Sequence, residues 1–252
     1  MNHSTLISFL QARPTHEERF AKGKAVRQLV PRATLANLTM RNRGQMVVDV
    51  LRKQAASRIA ELTPVRHARM MSNPFAFFRG GAAIMAADLS KTPSPEITVQ
   101  LCGDMHVSNF GFFSTTEHQL VFGINDCDET LPGNFDWDLK RLAASAMIAA
   151  EALGKDQTFG EHMVRNLCST YRKHLAHYAQ MPYLDLARAY IDQTQLIAAA
   201  KNVGPAAQRF LKKMVAKAQS HTNQGALGKL TIDTPTGRKL IDNPPLIAHP
   251  EL

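Results

Sequence analysis

The chain has 252 residues, 44% of them hydrophobic and 20% charged, with a formal net charge of +9 at pH 7. That length and apolar share allow one large domain or two small ones around a buried core, and exclude a wholly disordered chain. Three cysteines without CxxC spacing exclude a disulfide scaffold or a cysteine-ligated zinc, and no apolar run approaches the roughly 18 residues of a membrane-spanning helix.

In chain order, the opening "MNHSTLISFLQARPTHEERF" carries an apolar patch too short for a signal peptide, so a cytoplasmic protein with no membrane partner is expected. The first 70 residues hold 13 of the 30 Lys+Arg but only 4 of the 21 Asp+Glu, so the whole charge excess lies there. A solvated helical surface explains that excess better than a nucleic-acid site, because the basic residues are scattered among apolar ones and no recognition motif accompanies them. Residues 1–34, with Pro14 and Pro31, read as a basic N-terminal arm, and residues 35–252 as a single α+β domain. "LANLTMRNRGQMVVDVLRKQAASRIAEL" (35–62) has helical spacing, with Gly44 as a break. In "SNPFAFFRGGAAIMAADLSKTP", Ser72 or Asn73 caps a helix that opens on Pro74, and Gly80-Gly81 interrupts it.

The period then changes. "ITVQLC" (97–102), "FGFFS" (110–114) and "QLVFGIN" (119–125) are short, β-rich and bounded by turn residues, with "TTEH" connecting the last two. Helical patterns resume in "DLKRLAASAMIAAEALG", with Asp138 at the cap position and Gly154 as the stop, and continue in "TFGEHMVRNLCSTYRKHLAHYAQM". "DLARAYIDQTQLIAAA" and "GPAAQRFLKKMVAKAQ" are also helical, and the tail from Gly225 is turn-rich. No internal repeat is visible. Within this outline "FFRGGAAIMAADL" is expected beneath the strands, "DLKRLAASAMIAAEAL" is a central helix whose small residues allow close approach, and Trp137 wedges it against the preceding loop.

Two stretches carry the chemistry: Leu101–Gly111, "LCGDMHVSNFG", and Asn125–Asp138, "NDCDETLPGNFDWD". Singly, such an Asp or Asn is a common turn former and such a His is commonly structural; the combination is not explained that way. Carboxylates crowded into one region repel unless something positive neutralises them. Magnesium does this with oxygen ligands from Asp, Asn and water, completed by substrate phosphates. Asp104 and Asn109 stand five residues apart and Asp126 follows on the next strand, so a tight hairpin would gather all three. The set suits phosphoryl transfer, in which one Asp accepts the proton of an attacking hydroxyl while an Asn and a second Asp hold the metal.

"GDMHVSNFG" resembles the GDxHxxN loop of the aminoglycoside and choline kinase group of protein-kinase-like enzymes. The resemblance implies that Asp104 is the catalytic base, with His106 at the place of the loop histidine. It implies Asn109 and Asp126 as metal ligands, and Asp138 as the residue that opens the following helix and braces the loop. Cys102 stands where that group usually has a histidine before the Gly-Asp pair, which alters the loop's customary bracing bond. "RHARMMSNPFAFFRGGAAIMAADL", "VQLCGDMHVSNFGFF", "INDCDETLPGNFDWDLKRLAAS" and "DNPPLI" resemble successive segments of the bacterial family called domain of unknown function 2252, from Pro64 to Ile247. Members of that family are longer, continuing into a "GVGSVG"-type stretch and a lysine-bearing strand. The resemblance therefore implies that this chain is the N-terminal half, whose partner would be a separate C-terminal half. Neither G-x-G-x-x-G nor a V-A-I-K-like strand occurs here, so ATP is a candidate cofactor without its usual loop and lysine. Arg79, beside Gly80 and Gly81, is a candidate phosphate contact or, equally, a brace for one of the carboxylates.

The expectation is an α+β fold: a small antiparallel sheet carrying the site and a mostly helical remainder, similar to the C-terminal lobe of kinase-like proteins. The leading function is a Mg-dependent phosphotransferase, or its catalytic-loop half, acting on an unidentified acceptor and inactive if truncated. Asp104 is its base, Asn109 and Asp126 its metal ligands, Asp138 its support, and Asp128 and Glu129 are auxiliary acids. One alternative is a Mg-dependent phosphoesterase using the same carboxylates on water. The other is a non-catalytic polyanion-binding protein in which the acidic loop is a structural ion site.

Overall fold

The computed structural model of the chain describes residues 14–37, 43–220 and 223–243. It is an α+β protein, mostly helical with small antiparallel sheets. Contacts group the chain into two compact units, one of Met1–Phe110 with Asp126–Ala189, the other of Gly111–Asn125 with Tyr190–Leu252. The boundary expected at residue 34 is not among the divisions of these units, which fall after Phe110, after Asn125 and after Ala189.

In the first unit, α1 (His16–Leu29) opens on a capping box: Glu18 N–H donates to Thr15 Oγ1 at 3.2 Å, and Thr15 N–H to Glu18 Oε2 at 2.7 Å. None of its residues is buried, which agrees with a solvated basic surface. The pattern at 35–62 yields α2 (Arg43–Ala55) and a 3-10 turn at Ala60–Leu62. Next come α3 (Thr63–Met70), α4 (Pro74–Gly80) and α5 (Ala82–Leu89). Asn73 caps α4, its side-chain oxygen accepting from Ala76 N–H at 2.8 Å, and Pro74 takes the first helical position. The Gly80-Gly81 pair divides α4 from α5.

β1 (Thr98–Leu101) does not join the two strands that follow it in sequence, β2 (Phe110–Ser114) and β3 (Leu120–Ile124). It pairs antiparallel with β4 (Leu131–Asn134), a strand that "LPGN" conceals because Pro and Gly are poor strand formers. Gly133 faces Val99 in that register, and a Cβ there would stand 2.5 Å from Leu101 Cδ1. The small residue thus lets the buried Leu101 side chain lie across the ribbon.

α6 (Asp136–Ala152) starts two residues earlier than the pattern suggests. Phe135 is its cap residue and makes no side-chain cap bond, which corrects the expectation that Asp138 caps the helix. Gly154 ends it at φ +68°, and Lys155 N–H returns to Ala150 O at 3.0 Å. Five of its residues are buried, three of them polar: Asp136, Arg141 and Ser145, beside Ala146 and Ala150. On its other side α7 (Gln157–Tyr178), capped by Asp156, packs closely; a Cβ on Gly160 would lie 3.7 Å from Ala150 Cβ and 2.4 Å from Met147 Sδ. α4 and α5 both pack on α6, so "FFRGGAAIMAADL" meets a helix through both halves, where strands were expected. α8 (Tyr183–Ala187) closes the unit.

In the second unit β2 and β3 form a three-stranded sheet with β5 (Ile191–Asp192). Phe112 and Phe122 meet edge to face at 5.3 Å across the first pair. β5 breaks what the sequence presents as one helix over 185–200. Asp192 then caps α9 (Gln193–Lys201) with its own capping box, and α10 (Pro205–Ser220) packs on α9. The tail is not merely turn-rich: α11 (Asn223–Leu230) leads into a hairpin of β6 (Thr231–Thr234) and β7 (Gly237–Leu240), with Gly237 at φ +115°. The segment "DNPPLI" lies mostly outside the described residues. No helix among the described residues is long and apolar enough to cross a membrane.

Candidate functional site

The site lies within the first unit, where the 102–109 loop leaves β1 and meets α6. Asp138, Arg141 and Ser145 recur at i, i+3 and i+7, so one face of the helix presents three polar side chains in a row. Each takes a different part of the loop. The Asp138 carboxylate accepts from Cys102 N–H at 2.7 Å and Gly103 N–H at 3.1 Å. Arg141 Nε donates to Asp104 Oδ1 at 2.8 Å, and its Nη2 binds the same oxygen. Ser145 Oγ accepts from Val107 N–H at 3.1 Å while donating to Leu142 O at 2.7 Å. A loop over a helix carries peptide groups that would otherwise be buried unpaired, and this row of side chains satisfies them.

The far side of the loop is held by Asn109, itself only 5% exposed. Its Nδ2 donates to Asp104 O at 3.1 Å and to Asp126 O at 2.8 Å, and its Oδ1 accepts from Asp126 N–H at 3.0 Å. One side chain thereby ties the backbone of Asp104 to that of Asp126, seventeen residues apart from it in sequence. Cys102 completes the clamp: its thiol donates to Asp126 O and accepts from Asn109 Nδ2, both at 3.4 Å. Burial pushes that thiol up to about 11, so it stays protonated and able to donate. Gly103 sits at φ +85°, and a Cβ there would fall 2.0 Å from Glu129 O. Only glycine lets the loop close against the 127–130 turn.

Asp104 is the focus of the charges. Burial alone would raise its carboxyl, but His106 and the Arg141 guanidinium together outweigh burial and hold it below its ordinary value. His106 Nε2 is 3.5 Å from Asp104 Oδ2, its ring meets Phe75 edge-on, and its buried Nδ1 has no hydrogen-bond partner among the described residues. Arg141 is itself fixed from three sides, donating to Phe78 O at 2.8 Å and lying 4.3 Å above the Phe78 ring.

Asp126, Asp128 and Glu129 are exposed on the neighbouring turn. Asp126 Oδ1 accepts from Asp128 N–H at 3.1 Å, an Asx turn that shapes this acidic corner. Arg79 is exposed at the end of α4 and has no hydrogen bond or ion pair among the described residues. The basic groups near the acids are Arg141 and Arg66 instead. Arg66 donates to Gly80 O at 2.9 Å; burial and nearby Arg58 push its guanidinium below the ordinary value, against the opposing pull of Glu129 and Asp104. Trp137 is half-buried in the first turn of α6, its Nε1 enclosed without a partner among the described residues.

The structure thus ties the loops of Asp104, Asn109 and Asp126 together at the backbone, with Asp138 beneath. Among the described residues no three His, Cys, Asp or Glu side chains are grouped as a metal site. Arg141 and Ser145 carry the loop yet escape notice in the sequence. The available signal was a charged and a hydroxyl residue recurring with Asp138 on an otherwise small and apolar helix.

These features define an α+β protein with a clamped acidic loop seated on a polar helix face. The family model described as "Uncharacterized protein conserved in bacteria (DUF2252)" matches residues 58–251, and the chain belongs to that family. Neither the curated proteins nor the solved structures contain a match.

Proposed function

We propose that the loop and turn form the catalytic corner of a kinase-like, Mg-dependent phosphotransferase, or of its catalytic-loop half. The observation that supports this most strongly is the Asn109 side chain bridging the backbones of Asp104 and Asp126. The bridge fixes two carboxylate-bearing loops relative to each other, which positioning-dominated phosphoryl transfer requires.

Asp104 serves as the acceptor-side group. Its depressed pKa keeps it ionised at neutral pH, so it orients the attacking hydroxyl and takes the proton late, as the hydroxyl's oxygen bonds to phosphorus and the bond from phosphorus to the leaving diphosphate oxygen breaks. Arg141 holds one carboxylate oxygen and leaves the other, beside His106, to face the acceptor. Magnesium is ordinarily held by one or two carboxylates plus phosphate oxygens, a demand that the exposed Asp126 carboxylate fits; Asn109 would be the second ligand, through the Oδ1 that accepts from Asp126 N–H. When bound there, magnesium would neutralise charge on the phosphates. Asp128 and Glu129 add negative potential on the same side. Asp138 acts through the loop backbone alone.

The test is a nucleotide titration followed by calorimetry, with and without magnesium, on the chain and on Asp126→Ala. Magnesium-dependent binding of a nucleoside triphosphate that weakens at least tenfold in the variant is expected. Equal binding by both proteins, or none when the chain is supplemented with a longer family member's C-terminal segment, would remove the proposal.

A further inference from the structure

The last turn of α4 offers carbonyl oxygens to two arginines. Phe78 O accepts from Arg141 Nη2 at 2.8 Å, and Gly80 O accepts from Arg66 Nη2 at 2.9 Å. Both guanidiniums therefore stand at one helix end, from which Arg141 reaches Asp104. They differ in what is left over. Arg141 is buried with Nε and Nη2 on Asp104 and Phe78 O, and its Nη1 donates to Met85 Sδ at 3.7 Å. Arg66 is only half-buried; its Nε and Nη1 have no hydrogen-bond partner, and it makes no ion pair, among the described residues.

Arg58 is the second uncommitted cation. It stands between α2 and the 3-10 turn at Ala60–Leu62, its backbone fixed by Arg58 N–H to Ala55 O and, just beyond, Leu62 N–H to Ile59 O, both at 3.1 Å. Its side chain is exposed and makes no hydrogen bond or ion pair among the described residues. Its charge acts on Arg66 more strongly than that of Glu129 or of Asp104. Two guanidiniums held within repulsive range, with donors to spare, are unfavourable until an anion lies between them. Arg141 already answers Asp104, which leaves Arg58 and Arg66 against Glu129 and gives the acidic corner one positive edge. Forked planar donors match the oxygens of a phosphate.

We propose that Arg58 and Arg66 form a phosphate subsite beside Asp104, and that the acceptor is a hydroxyl compound already carrying a phosphate monoester. The acceptor assignment rests on the phosphotransferase reading, in which Asp104 is the base; the binding of phosphate does not. The acceptor's phosphate bridges the two guanidiniums, and its hydroxyl faces the Asp104 oxygen that Arg141 leaves open.

The experiment titrates the full chain with glycerol 3-phosphate and with glycerol by calorimetry, without magnesium and at low ionic strength. It repeats this with Arg66→Met, Arg58→Met and Lys22→Met, the last removing one charge from the solvated α1. Saturable one-to-one binding of glycerol 3-phosphate and none of glycerol is expected, weakened at least tenfold by Arg66→Met and at least fivefold by Arg58→Met, and kept within twofold by Lys22→Met. Arg66→Met also removes the bond to Gly80 O, so a thermal melt accompanies it; Arg58→Met breaks no bond in the fold and decides the matter alone where Arg66→Met does not fold. No saturable binding to the wild-type chain, unchanged affinity in Arg58→Met, or an equal loss in Lys22→Met would overturn the subsite. Displacement of glycerol 3-phosphate by a magnesium nucleoside triphosphate would overturn the acceptor assignment. Arginine-dependent binding of glycerol 3-phosphate supports the subsite even in a chain that binds no nucleotide, so the two readings fail separately.

Discussion

Replacing Asn109 by Ala removes the side chain that ties the backbone of Asp104 to that of Asp126, leaving the Cys102 thiol bond to Asp126 O between the loops. Asp126 N–H, Asp104 O and Asp126 O each lose a partner, at original distances of 3.0, 3.1 and 2.8 Å, and the Cys102 thiol loses a weaker contact. A neutral hydrogen bond contributes about 1 kcal/mol net, so three of them amount to about 3 kcal/mol. That is a large share of the roughly 5–15 kcal/mol by which domains are stable. Urea unfolding followed by the fluorescence of Trp137, the only tryptophan, reports on the unit that holds the site. With an m-value of about 3 kcal/mol/M, the midpoint falls by about 1 M. Asn109→Asp keeps the size but turns a carboxylate oxygen toward two carbonyls, and at neutral pH it is expected to cost more than the alanine. A midpoint shift below about 0.3 M in Asn109→Ala would refute the clamp.

The remaining predictions concern the loop's other supports. Arg141→Met leaves the Asp104 carboxylate without its buried cation and is expected to cost about 3–5 kcal/mol, with Arg141→Lys failing to restore it because the guanidinium serves Asp104 and Phe78 O together; wild-type-like chemical denaturation of either variant would contradict this. Gly103→Ala, at φ +85° and against Glu129 O, is expected to lower the melting temperature by more than 5 °C or to abolish folding, and a change under 1 °C would refute the close approach. The depressed folded-state pKa of Asp104 stabilises the fold above its unfolded value of 3.8, and that contribution disappears as pH falls through the folded value. A stability–pH series should therefore show an acid loss in the wild type that is smaller in Asp104→Asn; identical acid limbs would show that the carboxylate is not held as described.

Local signals carry further in this sequence than long-range ones. Asn73 with Pro74, the Gly80-Gly81 break, the Gly154 stop and the aromatic run of β2 are legible because each depends on residues a few positions apart. β4 is not legible: "LPGN" becomes a strand only because β1 lies beside it, about thirty residues earlier, with Leu101 folded over Gly133. The two-residue β5 likewise exists only through its pairing with β3, and interrupts a sequence of good helix periodicity. Asp138 has the chemistry of a helix cap, yet its carboxylate is committed to two loop N–H groups, so the helix begins at Asp136 without a side-chain cap. For the candidate site, the acidic residues are visible as a cluster, while the cation beside Asp104 is not: Arg79 reads only as a phosphate contact or a brace for one of the carboxylates. Arg141 binds the Asp104 carboxylate from 37 residues away in sequence. Its spacing from Asp138 on one helix face could be read in advance; its bond to Asp104 could not.

The most direct test of the phosphate-chemistry account is a manganese titration, read by electron paramagnetic resonance, of the full chain, Asp104→Asn and Asp126→Ala in the presence of a nucleoside triphosphate. One Mn2+ bound per wild-type chain, weakened at least tenfold in Asp126→Ala, is the outcome the account predicts. Binding of Mn2+ with the same stoichiometry and affinity in all three proteins would contradict it.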